Sequence, residues 1–161
     1  MKTEMKIHGL IVDPVTNMPI VILKAVDQEQ VLPIWVGVFE ANAIALQMES
    51  VEPPRPMTHD LLRSIIQQLD AEVNEITVCD LRDNTFYARL TLRMRGGEQI
   101  EVDSRPSDAI ALALRTGSPI FVEESVIEKA RSLEITEEDS EEKIRSWLES
   151  LDPEDLGDYE M

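Results

Sequence analysis

The sequence predicts an α+β domain: a mixed, largely antiparallel β-sheet of about six to seven strands, packed by three main helices, with an acidic helix towards the C-terminus. Three observations predict it. Several segments alternate apolar and polar residues with the period of two that a half-buried strand requires, and short turn-forming links join them. Two further segments carry apolar residues at helical spacing. A third runs into helix through a proline and out of it through a glycine.

Met5 to Val12 and Pro19 to Val26 read as two strands, joined by Asp13-Pro14-Val15-Thr16-Asn17, whose Asp, Pro and Asn favour a turn. Gln30 to Val36 reads as a third strand, with Pro33 placing it at an edge or bulge. A three-stranded meander is the simplest arrangement. His8 is expected as an ordinary strand residue. From Phe39 to Glu49 the period changes: Ala41, Ile44, Ala45 and Met48 fall on one helical stripe, with Glu40 in the first turn.

Three prolines in Pro53-Pro54-Arg55-Pro56 forbid helix and favour a stiff extended link. Thr58 is then the expected N-cap of a second helix, in which Leu61, Leu62, Ile65, Ile66 and Leu69 supply a buried stripe. Ala71 to Leu81, Thr85 to Arg95 and Glu98 to Asp103 return to strand, linked by Arg82-Asp83-Asn84 and by Gly96-Gly97. Arg89, Arg93 and Arg95 alternate with apolar residues and should share one face. That face is either a solvated surface, which the acidic tail can pair with, or a phosphate-facing patch.

The last strand meets a corner, Asp103-Ser104-Arg105-Pro106-Ser107-Asp108, and then a helix of mostly apolar residues that Gly117 and Pro119 close. Pro106 suits a first helical position, and Ser107 and Asp108 are expected to bond free N–H groups there. Pro119 to Val122 can add a short strand, and Glu123 to Ala130 a short helix. After Thr136, Ile144, Trp147, Leu148 and Leu151 form one stripe of an acidic helix that can dock on the domain or on a protein partner. Asp152 to Met161 reads as a disordered acidic tail. The expected organisation is a domain over residues 1–130 and an acidic helix and tail over 131–161.

Length and composition narrow the function. With 161 residues, 43% hydrophobic and 4% aromatic, the chain can bury a core built of Ile, Leu, Val, Ala and Met. No apolar run reaches membrane-spanning length and no signal-like block opens the chain, so a cytoplasmic, membrane-free setting is expected. One cysteine, Cys79, permits neither a disulfide nor a thiolate metal site within one chain, and a buried, inert thiol is expected. The net charge is −17, and residues 119–161 contribute 15 acids against 4 bases. Such a chain attracts phosphate only through a local basic patch or a bound cation.

The chemistry-bearing residues gather at the two Arg-Pro corners. Arg55-Pro56 precedes Thr58, His59 and Asp60; Arg105-Pro106 precedes Ser107 and Asp108. Each corner brings a guanidinium to a helix N-terminus, an arrangement that binds oxyanions. A purely structural account is also open, in which Asp103 and Arg105 pair to lock the strand–helix corner.

Three ordered motifs carry a resemblance to a known family: Leu32-Pro33-Ile34-Trp35-Val36-Gly37 with Glu40-Ala41 and Ala43-Ile44; Pro54-Arg55-Pro56 with Thr58-His59-Asp60-Leu61; and Val102 to Ala111. Over roughly Met5 to Ala130 the chain resembles the bifunctional nuclease domain family. The resemblance implies an α+β domain with a mixed sheet, and plant relatives are described as cutting both RNA and DNA.

Two functions are carried forward. In the first, the domain hydrolyses phosphodiesters of RNA and DNA: His59, Asp60, Asp103 and Asp108 are the catalytic candidates, and Arg55, Arg105 and Ser107 would hold phosphate. A divalent ion, Mg²⁺ or Mn²⁺, would sit on Glu40, Asp60, Asp103 and Asp108, since such hard ions prefer oxygen ligands. In the second, the domain is a non-catalytic, dimeric binding or regulatory module that holds a small anion or a protein partner at the same corner.

Overall fold

The computed structural model of the chain describes residues 1–136, with side chains through Arg131. The acidic helix expected after Thr136, and the tail, lie outside the described residues.

Strands β1 (Lys2–Val12), β2 (Pro19–Ala25) and β3 (Val31–Trp35) form the first meander. Helix α1 (Val38–Met48) and helix α2 (Thr58–Gln68) follow. Strands β4 (Glu72–Arg82), β5 (Thr85–Arg93) and β6 (Gln99–Ser104) form the second meander. Helix α3 (Pro106–Thr116), strand β7 (Ile120–Glu123) and helix α4 (Glu124–Thr136) complete the described fold. The two meanders meet through β7, giving one seven-stranded sheet in the order β3-β2-β1-β7-β4-β5-β6. Strand β7 runs antiparallel to β1 and parallel to β4, the one parallel pairing among the described strands.

The elements follow the sequence pattern closely. Pro33 sits on edge strand β3, where a missing donor costs little. His8 falls at a register shift between Ile7 and Gly9 and is exposed. Helix α3 starts with Pro106 at its first position and stops at Gly117, whose φ of 69° is the left-handed C-cap conformation that glycine adopts without a Cβ clash. Ala109 to Ala113 are all buried, so α3 is enclosed by the sheet and by its helical neighbours α1 and α2. Helix α4 packs instead on β4 and β7.

Three local expectations change. Met57, not Thr58, holds the N-cap position of α2, and its N–H donates to the Asp60 carboxylate at 3.0 Å. Ser107 and Asp108 make no capping bond at α3; Asp108 is drawn instead into an ion pair with Arg105 and a hydrogen bond with His59. The apolar stripe of α2 does not face the core. Leu61, Leu62, Ile65 and Leu69 are solvent-exposed, because α2 turns its polar stripe, Asp60, Arg63, Ser64 and Gln67, towards the proline-rich link.

Candidate functional site

The first turns of α1, α2 and α3 converge. Their third, second and third residues, Glu40, His59 and Asp108, come from chain positions far apart, and Arg105 at the N-cap of α3 joins them. Arg105 Nη2 donates to Glu40 Oε1 at 2.7 Å and lies 2.8 Å from Asp108 Oδ2, while Arg105 Nε donates to the same Oδ2 at 2.9 Å. The other Asp108 oxygen, Oδ1, bonds His59 Nε2 at 2.9 Å. The result is a continuous chain: Glu40, Arg105, Asp108, His59.

Burial grades across the chain. His59 is 7% exposed, while the Arg105 side chain is 65% exposed and forms the outer surface of the cluster. The hydrogen bond to Glu40, then the hydrogen bond and charge of Asp108, raise the Arg105 pKa above the ordinary guanidinium value. It is therefore a fixed cation. Its Nη1 makes no bond to the described residues, which leaves two donors free for a ligand oxygen.

A carboxylate can only accept, so the hydrogen shared with Asp108 sits on His59 Nε2. That fixes the neutral tautomer with its lone pair on Nδ1, which bonds no described residue and is not among the sealed polar atoms. Glu40 owes its place to Gly37. The carboxylate folds back over that glycine, and a Cβ there would lie 2.3 Å from Glu40 Oε2.

Asp60 stands next to His59 in sequence but is turned away from it in bonding. Its Oδ1 accepts from Arg115 Nε at 2.7 Å, and its Oδ2 accepts the Met57 N–H. Burial pushes the Asp60 carboxyl up, yet the Met57 N–H and the Arg115 guanidinium outweigh it and hold the pKa below the usual aspartate value. Arg115 is 6% exposed and also donates to the carbonyls of Ala43 and Ala111, so one guanidinium ties α1, α2 and α3 together. The sequence signal was present: Arg115 is the one charge after an apolar run, seven residues beyond Asp108 and so on the same side of the helix.

The remaining candidates lie elsewhere. Asp103 sits opposite Arg89 on the β5–β6 ladder. Arg89 reaches Glu123 at 3.1 Å, whereas its neighbour Ala88 faces the core with α3. Asp103 therefore points to the sheet face away from the cluster, and the expected Asp103–Arg105 pair is replaced by Arg105 with Glu40 and Asp108. Ser107 is buried at the start of α3 and hydrogen-bonds no described residue through its side chain. Arg55 is exposed on a groove that also reaches Asp60. The arginine stripe of the second meander is neutralised within the sheet region: Arg89 by Glu123, Arg93 by Glu72 and Arg95 by Asp70. Cys79 is half-buried and unbridged, and burial raises its thiol pKa.

The donor set expected for a divalent ion does not assemble. Glu40 and Asp108 share Arg105, Asp60 is held by Arg115, and Asp103 faces the other way. Among the described residues no group of three or more His, Cys, Asp or Glu is placed to hold a metal ion.

Fold and cluster together define an α+β domain that presents one exposed guanidinium over a histidine–carboxylate pair. A model of the bifunctional nuclease domain matches residues 21–134, and the chain belongs to that family. An uncharacterized protein of Mycobacterium tuberculosis (strain CDC 1551 / Oshkosh) is 41% identical over 163 residues, covering 95% of this chain and 97% of that one. Bifunctional nuclease 1 of Arabidopsis thaliana is 30% identical over 107 residues, 65% of this chain and 33% of that protein. Bifunctional nuclease 1 of Oryza sativa subsp. japonica is 28% identical over 105 residues, 63% of this chain and 32% of that protein. The chain thus matches about a third of the length of these plant relatives. No helix among the described residues is long and apolar enough to cross a membrane.

Proposed function

We propose that the domain hydrolyses phosphodiester bonds of RNA and DNA at the Glu40–Arg105–Asp108–His59 cluster. The observation that carries this reading is the His59–Asp108 bond at 2.9 Å, with Arg105 fixed on the same carboxylate group. Arg105 Nη1 binds a non-bridging phosphate oxygen and stabilises the charge that grows there as water adds to phosphorus. His59 Nδ1 takes the proton of that water, and Asp108 steadies the imidazolium that forms. The bond from phosphorus to the leaving ribose oxygen breaks, and that oxygen gains a proton from solvent. Glu40 holds Arg105 in place, and Asp60 and Arg115 hold the helix that carries His59.

The test is cleavage of labelled single-stranded RNA and DNA by wild type, His59→Ala and Asp108→Asn, each with and without EDTA. Cleavage by wild type that both variants lose while staying folded supports the reading. Equal cleavage by all three proteins overturns it. The EDTA arm decides whether the Mg²⁺ or Mn²⁺ expected from the sequence takes part.

One observation favours the second reading, a dimeric non-catalytic module. The exposed leucines and isoleucine of α2 form a surface that a second copy can cover. A dimeric wild type that cuts neither single-stranded RNA nor DNA in any metal, yet binds inorganic phosphate in an Arg105-dependent way, would select it.

A further inference from the structure

An open groove of about 640 Å³ lies between the proline-rich link and the polar stripe of α2. Arg55 reaches it from the link and Arg63 from the helix, among Gln47, Ser64 and Gln67. These two arginines pair with no acid among the described residues, whereas every arginine from Arg82 to Arg115 pairs with one. Asp60 borders the groove, but its charge is answered by the buried Arg115. Glu52 is then the one unanswered carboxylate of the lining. In a chain of net charge −17, two unpaired guanidiniums on one groove are a local reversal of field.

We infer that this groove binds the sugar–phosphate backbone of a single nucleic-acid strand, with Arg55 and Arg63 each neutralising a phosphate. The inference rests on the nuclease reading and names how its substrate is held. Three features select a strand over a small anion. The guanidiniums come from two separate elements, the groove is open, and its uncharged polar lining suits sugar hydroxyls and phosphate oxygens. Asp60, the residue after His59 on α2, lines the groove and is the link in the chain between groove and cluster. The prolines on both sides of Arg55 restrict the backbone at the bend formed by Pro54 and Arg55, which lowers the ordering cost of binding.

The experiment measures affinity for a fluorescein-labelled, phosphorothioate-linked oligothymidylate, which resists cleavage, across a salt series with wild type, Arg55→Ala, Arg63→Ala and the double variant. KM and kcat for cleavable single-stranded RNA are read in parallel. Each single variant should weaken binding several-fold and flatten the log-affinity against log-salt slope by about 0.7, the value for one phosphate contact on a single strand. KM should rise while kcat stays at the wild-type value, and Arg63→Glu should weaken binding more than Arg63→Ala. Unchanged affinity and slope in the double variant, or no binding by wild type, overturns the inference. Arginine-dependent binding without cleavage keeps the groove and removes the nuclease reading. Cleavage with an unchanged KM in the double variant does the reverse.

Discussion

His59 Nε2 lies 2.9 Å from Asp108 Oδ1, a bond that spans 49 residues of sequence and joins the second position of α2 to the third of α3. It brings together the two Arg-Pro corners that the sequence singles out. It also fixes which imidazole nitrogen is free, and from that follows the first prediction. Replacing Asp108 with asparagine keeps the shape but lets the amide donate to Nε2, turning the lone pair away from Nδ1. Cleavage should fall by about 10²- to 10⁴-fold, the range for loss of general acid–base help. Single-turnover rates at matched melting temperature check it.

Gly37 offers a cleaner probe of Glu40 than mutating Glu40 itself. Its φ of −70° is open to alanine, so the one obstacle to a Cβ is the tip of the Glu40 side chain. Gly37→Ala should expel that carboxylate from Arg105 and leave the fold intact. Exposed ion pairs contribute about 0–1 kcal/mol, so the melting temperature should barely move. Displacing the phosphate-binding guanidinium should lower cleavage by up to about 100-fold. The same phenotype in Glu40→Gln, measured side by side, would confirm that both act through Arg105.

The Asp60–Arg115 pair should govern stability rather than chemistry. Asp60→Ala leaves a buried guanidinium without its acid, which costs about 3 kcal/mol or more. Because the folded-state pKa of Asp60 lies below the ordinary value of 3.8, its contribution is fully present above that value and is lost as pH falls through the folded pKa. Denaturant melts of wild type should therefore weaken on acidification in that range. In Asp60→Asn the part of this pH dependence due to Asp60 should vanish.

The exposed stripe of α2 predicts an oligomer. Leu61→Lys with Ile65→Lys alters surface positions, so the monomer should change by no more than about 0.5 kcal/mol per site. Sedimentation equilibrium should show self-association in wild type and a monomer in the double variant. A monomeric wild type would leave this surface without a homodimer.

Most elements were legible because period and punctuation agree along the chain: β1 to α3 fall where alternation, helical spacing or a proline–glycine boundary put them, whereas α4, expected to end at Ala130, continues to Thr136. The corners around Arg55 and Arg105 were legible as polar helix starts. Partner choice was not, because it depends on three-dimensional approach. Asp103 and Asp108 look alike in sequence, yet strand alternation sends one across the sheet and the helix turn brings the other to His59. The stripe of α2 misled for a related reason: its period gives an apolar face but not the direction in which that face points. Gly37 stood in a family motif, but its role depends on the fold-back of a side chain three residues away.

The most direct measurement is chemical rescue: cleavage of single-stranded RNA by His59→Gly with and without added imidazole, as a function of pH. If His59 Nδ1 is the general base, the variant should be inactive alone and recover activity in proportion to the neutral fraction of imidazole. A variant as active as wild type, or one inactive at every imidazole concentration while folded and still binding RNA, would contradict the assignment.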